Sequence, residues 1–552
     1  MKFLLFFLFF YQAVHHAEAF AFFVDGSGHY GLLGQTRVNP EADKSRGTFQ
    51  AVLQTFDLNG EARMNDRASF RFRLGIFSDP RTAYLGDRAQ PEDCDARQPQ
   101  AGNGTATRND DPSQCSGSHQ DSSSPRYQNY TPQLREAYIK YAFDYCITEA
   151  GRRSRDFGLG IFNNAGRKPF ETDSSMYDGV TCDINLQKTQ VIGFSLGFDK
   201  LQESGNYTDP LLRTNVKKSR GQGALGNGDD LDQFFFKLTY DDRKANSGSS
   251  FTRTLGIYFS NAFGDDSKTD LKFLDFFSSL YFSNFTFKNE FLFRLGKSAD
   301  PNWIYSGGAN YLDDEDGSLK ANKLDSAGLA GTAEWNISAS GTQVGPADYN
   351  QGTIKKHILF FDYAYAPGDE QGYYVDRPYM SDADKDASGL RKRSPRSRAI
   401  AFHRNFKPAL LMFNGTADAD EKRVDGVYNP SRMVNTTLFG LGYRFESFEY
   451  GNFETKLLTA SMNRGLPDEV RGYYEGSLNP NEPTGNRNRR PVGYYGNSFG
   501  YELDFLYNYV YGKEIELISG AGILLPGKAY KTLADESPGL SYMIETGAVF
   551  KF

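Results

Sequence analysis

Residues 66–77 read "DRASFRFRLGIF", and the pattern in them constrains the fold more than any other feature of the chain. Ala68, Phe70, Phe72, Leu74 and Ile76 alternate with Arg67, Ser69, Arg71 and Arg73. Successive side chains of a strand point to opposite faces, so a strand sorts these residues into one apolar and one charged face. A helix scatters them around its circumference. The same sorting occurs in "REAYIKYAFDYCI" (135–147), "NFTFKNEFLFRL" (284–295) and "YELDFLYNYVY" (501–511). The stretch "LKFLDFFSSLYF" (271–282) departs from it and is apolar on both faces.

The alternation predicts 18 strands, at 20–31, 49–63, 67–77, 134–148, 153–162, 176–188, 191–200, 231–243, 250–261, 269–283, 284–297, 329–340, 353–366, 435–448, 452–464, 497–511, 513–524 and 540–552. Tight turns near Asn65, Ser283, Gly451 and Gly512 alternate with long polar segments at 78–133, 201–230, 298–328, 367–434 and 465–496. This alternation gathers the long segments at one end of the sheet, the asymmetry of transmembrane barrels.

The apolar faces have two places to go, a protein core or lipid. Three features favour lipid: charges in mid-strand on the opposite faces, strand runs of about 10 residues or more, and too many long strands for one sandwich. A sheet in hydrocarbon must close, because unpaired edge N–H and C=O groups find no water there. Phe and Tyr number 46 and 34, which suits strands and interfacial girdles. The mean hydropathy of −0.58 excludes a bundle of membrane helices. The net charge of −7 argues against nucleic acid as a partner. The predicted fold is an all-β, antiparallel transmembrane barrel over residues 20–552.

Residues 1–19 are expected to be a signal peptide, removed from the mature protein. Lys2 supplies a positive start, "FLLFFLFFY" an apolar core, and Ala17, Glu18 and Ala19 a small-residue cleavage site. The chain ends in "SYMIETGAVFKF", whose final Phe552 resembles the terminal aromatic of bacterial outer-membrane barrels. That resemblance implies recognition by the barrel-assembly machinery. Several stretches resemble the 18-stranded alginate-export barrels: "LREAYIKYAF" followed by "GRRSRDFGLGIF" and "MYDGV", then "FDYAYAPGDE", then "PSRMVNTTLFGLGYRF". The resemblance covers about a third of the chain and implies the barrel and its strand number. It carries over no lining residues, because the loops differ.

Motifs for chemistry fail on context. "GFSLG" (193–197) has the spacing of a nucleophile elbow but lies within a strand. "GQGALG" (221–226) follows no strand and precedes no helix. "DDEDG" (313–317) lacks the spacing of a calcium loop. No enzyme activity, metal or cofactor is expected. Of the four cysteines, Cys94 and Cys115 share one polar segment and are the favoured disulfide. Cys146 and Cys182 fall by strand parity on opposite faces and are disfavoured.

The faces opposite the apolar ones would line a pore. The predicted pore-lining residues are Arg63, Arg67, Arg71, Arg73, Lys140, Arg294, Arg444, Glu446, Glu502, Asp504, Glu514 and Glu516. Bases are dense in the early strands and acids in the last, and ring closure brings them near each other. Either they set up a transverse field that selects solutes, or they pair along the wall. In 367–434, Leu410, Leu411, Met412 and Phe413 are too apolar for a solvated loop, so this segment is expected to fold inward or across the mouth. The expected function is a Gram-negative outer-membrane porin for passive diffusion of small hydrophilic solutes. The alternative is a substrate-specific or polysaccharide (alginate-like) export channel. Expected partners are outer-membrane lipid, lipopolysaccharide, the assembly machinery and the solutes.

Overall fold

In a computed structural model the chain is described over residues 23–39, 48–78, 130–171, 174–185, 191–202, 231–243, 251–264, 269–298, 322–338, 355–368, 396–403, 405–414, 432–463, 497–533 and 538–552. The predicted signal peptide and the Cys94–Cys115 pair lie outside these residues. The strands are β1 (Phe23–Val38), β2 (Thr48–Arg63), β3 (Ala68–Ser78), β4 (Tyr130–Ala142), β5 (Ile147–Ser154), β6 (Met176–Asn185) and β7 (Ile192–Gln202). There follow β8 (Leu231–Asp241), β9 (Phe251–Gly264), β10 (Thr269–Phe282), β11 (Phe285–Ser298), β12 (Asn322–Leu324), β13 (Ser326–Asn336) and β14 (Lys355–Ala366). The last are β15 (Arg396–Ser397), β16 (Thr436–Ser447), β17 (Gly451–Met462), β18 (Ser498–Tyr511), β19 (Ile515–Pro526) and β20 (Ser541–Lys551).

All 20 belong to one sheet. The short β12 and β15 are rim additions, since β11 pairs directly with β13 and β14 with β16. The other 18 form an antiparallel wall, and β1 closes it on β20 in a register from His29↔Lys551 to Val38↔Tyr542. Closure leaves no edge strand among the 18 described wall strands, the condition for a sheet in hydrocarbon. Gly28 and Phe552 exchange backbone hydrogen bonds of 2.8 and 3.0 Å at the turn end of the barrel. The tight turns β2–β3, β4–β5, β10–β11, β16–β17 and β18–β19 share that end. Most of the long connections share the other, the loop end, while the long connection between β13 and β14 joins them at the turn end.

The outer face is apolar around the girth. Phe70, Phe198, Phe234, Phe291, Leu441, Tyr501 and Ile544 are exposed on it. At the turn end Phe285 stacks on Trp335 at 5.7 Å and Phe251 meets Phe282 at 4.7 Å. Tyr141 meets Phe143 at 4.5 Å. This is an aromatic girdle at one membrane interface.

The inner face breaks the simple rule of apolar out and polar in. Near the loop end a cluster including Leu271, Phe273, Leu292, Leu438, Leu458, Phe499 and Leu524 is buried on the inside. It packs on Ile161, Phe402 and Met412, which belong to two segments that fold into the barrel. The stretch 271–282 is apolar on both faces for this reason. Phe273 faces inward and stacks on Phe162 at 4.6 Å, while Phe276 is exposed on the outside.

Two strand expectations are corrected. β4 stops at Ala142, and a turn closed by Phe143 N–H to Cys146 O at 2.8 Å interrupts the expected 134–148 strand. The expected strand at 153–162 ends at Ser154, and the chain turns into the lumen. Gly158 and Gly160 take φ of +62° and +82°, left-handed values that a strand does not use and that glycine adopts without penalty. The cysteine expectation is also corrected: Cys146 and Cys182 form a disulfide with Cα atoms 5.7 Å apart. Cys146 lies in the turn rather than in a strand, so parity does not govern its direction.

Candidate functional site

Irregular backbone inside a barrel has no ladder to satisfy its N–H and C=O groups, so the wall must do it. In the first inward segment, described at residues 155–171 and 174–175, the bases of one wall hold carbonyls. Arg73 Nη1 and Nη2 donate to Ala165 O at 3.1 Å and Gly166 O at 2.7 Å. Arg135 Nη1 and Nη2 donate to Gly166 O at 2.7 Å and Glu171 O at 3.0 Å. Arg73 is itself fixed by Asp57, with Nη2 to Oδ2 at 2.7 Å and Nε to Oδ1 at 2.9 Å. On β11, Glu290 accepts the Leu159 N–H. A Cβ on Gly158 would collide with that carboxylate.

The point where the segment leaves the wall is locked by charge and rings. Arg153 and Arg155 share the buried Asp199, at 3.1 and 2.8 Å. The Arg155 guanidinium lies 3.7 Å from the Phe235 ring centroid and 4.2 Å from that of Tyr177, and donates to Tyr258 Oη at 2.8 Å. Two guanidinium groups around one buried carboxylate, with aromatic faces above and below, keep every charge paired or stacked.

The second inward segment, described at residues 399–403 and 405–414, crosses the lumen. Arg294 Nη2 donates to Ala399 O at 2.6 Å. Lys456 Nζ donates to Pro408 O at 2.6 Å. Leu410 N–H donates to Asp504 at 3.2 Å, and Leu411 and Met412 N–H donate to the two oxygens of Glu502 at 2.6 and 2.7 Å. On β1, Arg37 Nη1 donates to Asn414 O. The two segments meet where His403 N–H donates to Ile161 O at 2.8 Å and Asn405 Nδ2 to Asn164 Oδ1 at 3.2 Å.

The first segment keeps charges on its exposed surface. Arg167 stands 3.6 Å from Asp156, and Lys168 stands 3.9 Å from Glu171, with side-chain exposures of 65% and 85% for the two bases. Lys407, exposed on the second segment, adds to the field at Glu171. Burial pushes the Glu171 carboxyl above its ordinary value, opposed by the Lys168 backbone N–H and by the Lys168 and Lys407 charges.

The predicted lining residues fall into three groups. Arg73, Arg294, Glu502 and Asp504 are buried beneath the inward segments, so they hold backbone rather than face open water. Arg444 sits in a half-buried network nearer the turn end, 2.8 Å from Glu454, 3.2 Å from Glu334 and 3.8 Å from Glu446. Lys288 and Lys356 extend it to Glu334 and Glu446 at 3.3 and 3.9 Å. The rest stand toward the turn end. Arg71 and Arg63 flank Glu61 at 2.8 and 3.6 Å. Arg67 pairs with Asp144 of the next turn at 3.3 Å. Glu516 pairs with Lys551 at 2.7 Å, Glu514 lies in the β18–β19 turn, and Lys140 neighbours Ser69 and Glu149 in register. Sequence reasoning missed Arg135, Asp156, Arg167, Lys168, Glu171 and Lys407. The available signal was the run of glycines at 158, 160 and 166 opposite a strand apolar on both faces.

A closed antiparallel barrel with lipid-facing apolar girth, short turns at one end and inward segments from the other is a β-barrel of the outer-membrane class. No protein family matches the chain, and no curated protein does. Among solved structures it is similar to the outer membrane protein OprD from Pseudomonas aeruginosa, at 10% identity over 97% of this chain and 96% of that chain, with a TM-score of 0.44. It is also similar to Pseudomonas aeruginosa OccK2 (OpdF), solved in complex with glucuronate, at 11% identity over 96% and 98% with a TM-score of 0.41. A third is Acinetobacter baumannii OccAB4, at 9% identity over 96% and 98% with a TM-score of 0.42. None of these matches shows the alginate-export family.

Proposed function

We propose that the protein is a passive outer-membrane channel for small hydrophilic solutes, with selection at the two inward segments rather than along the wall. The observation that supports this reading is the bridge itself. The two inward segments are fastened to the wall, the first by Arg73, Arg135 and Glu290 and the second by Arg37, Arg294, Lys456 and Glu502, and to each other at Ile161–His403 and Asn164–Asn405. A solute crossing the lumen has to pass these segments, and Asp156, Arg167, Lys168, Glu171 and Lys407 are the charges it meets. Rings of charge at a constriction select ions and polar solutes by sign and size. The Arg444 network then gives the turn-end lumen a balanced, wettable wall. Nothing in this reading requires energy input or a reacting group.

The test is planar-bilayer conductance with liposome swelling on a panel of sugars, amino acids and organic ions. Uptake of small solutes with a steep size cut-off is expected. Absence of conductance, with folding intact, overturns the channel reading. Passage of uronate oligomers in preference to monomers would favour polysaccharide export instead.

A further inference from the structure

The outer wall at the loop end carries lysines that the fold leaves incompletely neutralised. Lys297 is exposed one residue before the end of β11. Its cross-strand neighbours are Asp270 on β10 and Lys323 on β12. Asp270 is already engaged. Lys272 Nζ lies 3.7 Å from it, and the Asn261 amide, in the orientation that satisfies its hydrogen bonds, donates to it at 3.2 Å. Lys323 is held by Asp325 at 3.1 Å. Lys297 makes no ion pair with any described residue. Like charges directly opposite each other destabilise a sheet, so the Lys297–Lys323 pairing has no structural reward of its own. The backbone register sets Arg396 of β15 beside Lys323 as well. Beside and below this row the outer face turns apolar: Phe263 is exposed in register with Asp270, and Phe293 and Leu295 are exposed further down β11.

The height of the row is informative. Phe285, in the turn-end girdle, is the first residue of β11, and Lys297 stands 12 residues further along the same strand. At about 3.4 Å per residue and a tilt of about 40°, that separates them by roughly 30 Å along the membrane normal, the thickness of the hydrocarbon core. The girdle therefore marks one interface and the lysines the other, in the leaflet on the side of the long connections. Barrels of this class place those connections outside the cell.

We propose that Lys272, Lys297 and Lys323 form a binding site for a phosphate of lipid A, the phosphorylated glucosamine anchor of lipopolysaccharide, with its acyl chains against Phe263, Phe293 and Leu295. The site rests on the outer-membrane reading of the barrel but not on transport. Each lysine supplies a charge-assisted donor to a phosphate that carries more than one negative charge. The acids at 270 and 325 orient the flanking lysines and leave Lys297 to the ligand.

The test is titration of the full-length, folded protein in detergent with purified lipid A, read by native mass spectrometry. The K272Q/K297Q/K323Q variant is compared with K355Q, whose lysine is exposed on β14 at the turn end, 4.8 Å from the Tyr450 ring. The triple variant is expected to bind lipid A at least about tenfold more weakly. K355Q is expected to match the parent, conductance to be unchanged in both, and excess phosphatidylglycerol not to displace lipid A. Equal binding by the parent and the triple variant overturns the proposal, as does an equal loss in K355Q. Displacement by phosphatidylglycerol overturns the assignment to lipid A. If the triple variant does not fold, K297Q alone is read in the same way, with a loss of about threefold or more expected.

Discussion

Glu502 accepts the backbone N–H of Leu411 at 2.6 Å, and its second oxygen takes that of Met412 at 2.7 Å. A carboxylate buried in the wall thereby does for an irregular segment what a neighbouring strand does for a ladder. Glu290 plays the same part for Leu159 in the other inward segment. Acids of the wall take N–H groups and bases of the wall take C=O groups, so strand charges position the constriction without facing it.

Glu502→Gln keeps the shape and removes one of the two acceptors. A buried hydrogen bond to a charged group contributes about 1.5–3 kcal/mol. Hydrogen exchange at the Leu411 and Met412 amides should therefore speed up by roughly ten- to a hundredfold, accompanied by noisier single-channel current. Unchanged exchange at both amides would show that the segment is held by its apolar packing alone.

Arg73→Met strands Asp57 in a buried site and removes the Arg73 donors to Ala165 O and Gly166 O, while Gly166 O keeps its hydrogen bond from Arg135. Removing one partner of a buried pair costs about 3–5 kcal/mol. The double variant D57N/R73M should recover a substantial part of that loss, because no uncompensated charge remains. Denaturant unfolding of the four forms in lipid vesicles gives the coupling. Additive losses would mean that the two side chains act independently.

Lys168→Glu reverses a charge at 85% side-chain exposure on the first inward segment. Reversal potentials in a salt gradient should shift toward cations. Glu514→Gln, in a turn remote from both segments, should shift them much less. A larger effect at Glu514 would move selection from the constriction to the turn end.

Glu171 is raised by burial, so it takes up its proton above the ordinary glutamate value of about 4.3. As pH falls through that raised value the constriction loses a negative charge, and preference should move toward anions. Above it, the carboxylate is ionised and the preference is flat. Measuring reversal potentials from neutral pH downward should show this shift in the parent and its loss in Glu171→Gln. A shift that persists in Glu171→Gln would assign it to another group.

The alternation in 66–77 and its repeats was enough to determine an antiparallel closed barrel, its strand number and the gathering of most long connections at one end. Strand parity is a local, period-two property, and lipid on the outside leaves only closure as a solution. The apolar run at Leu410, Leu411, Met412 and Phe413 likewise announced that its segment would not stay in water; Met412 and Phe413 lie within the inner cluster and Leu411 packs against it. The strand expected at 153–162 stops at Ser154, because two left-handed glycines beyond it are read correctly only with the knowledge that a lumen is available to receive the chain.

Which residues are charged, and which face of each strand they occupy, follow from the alternation alone. Tertiary structure alone decided what those charges do. Arg73 and Arg71 are two residues apart on one face, yet Arg73 is buried against Asp57 and two loop carbonyls, while Arg71 pairs with Glu61 in a more open part of the lumen. The difference comes from residues 165 and 166, about ninety positions away in the chain. A side chain's neighbours along its own strand follow from a period of two. Its neighbours across a closed barrel follow from where distant backbone needs a hydrogen-bond partner, and no local pattern encodes that need.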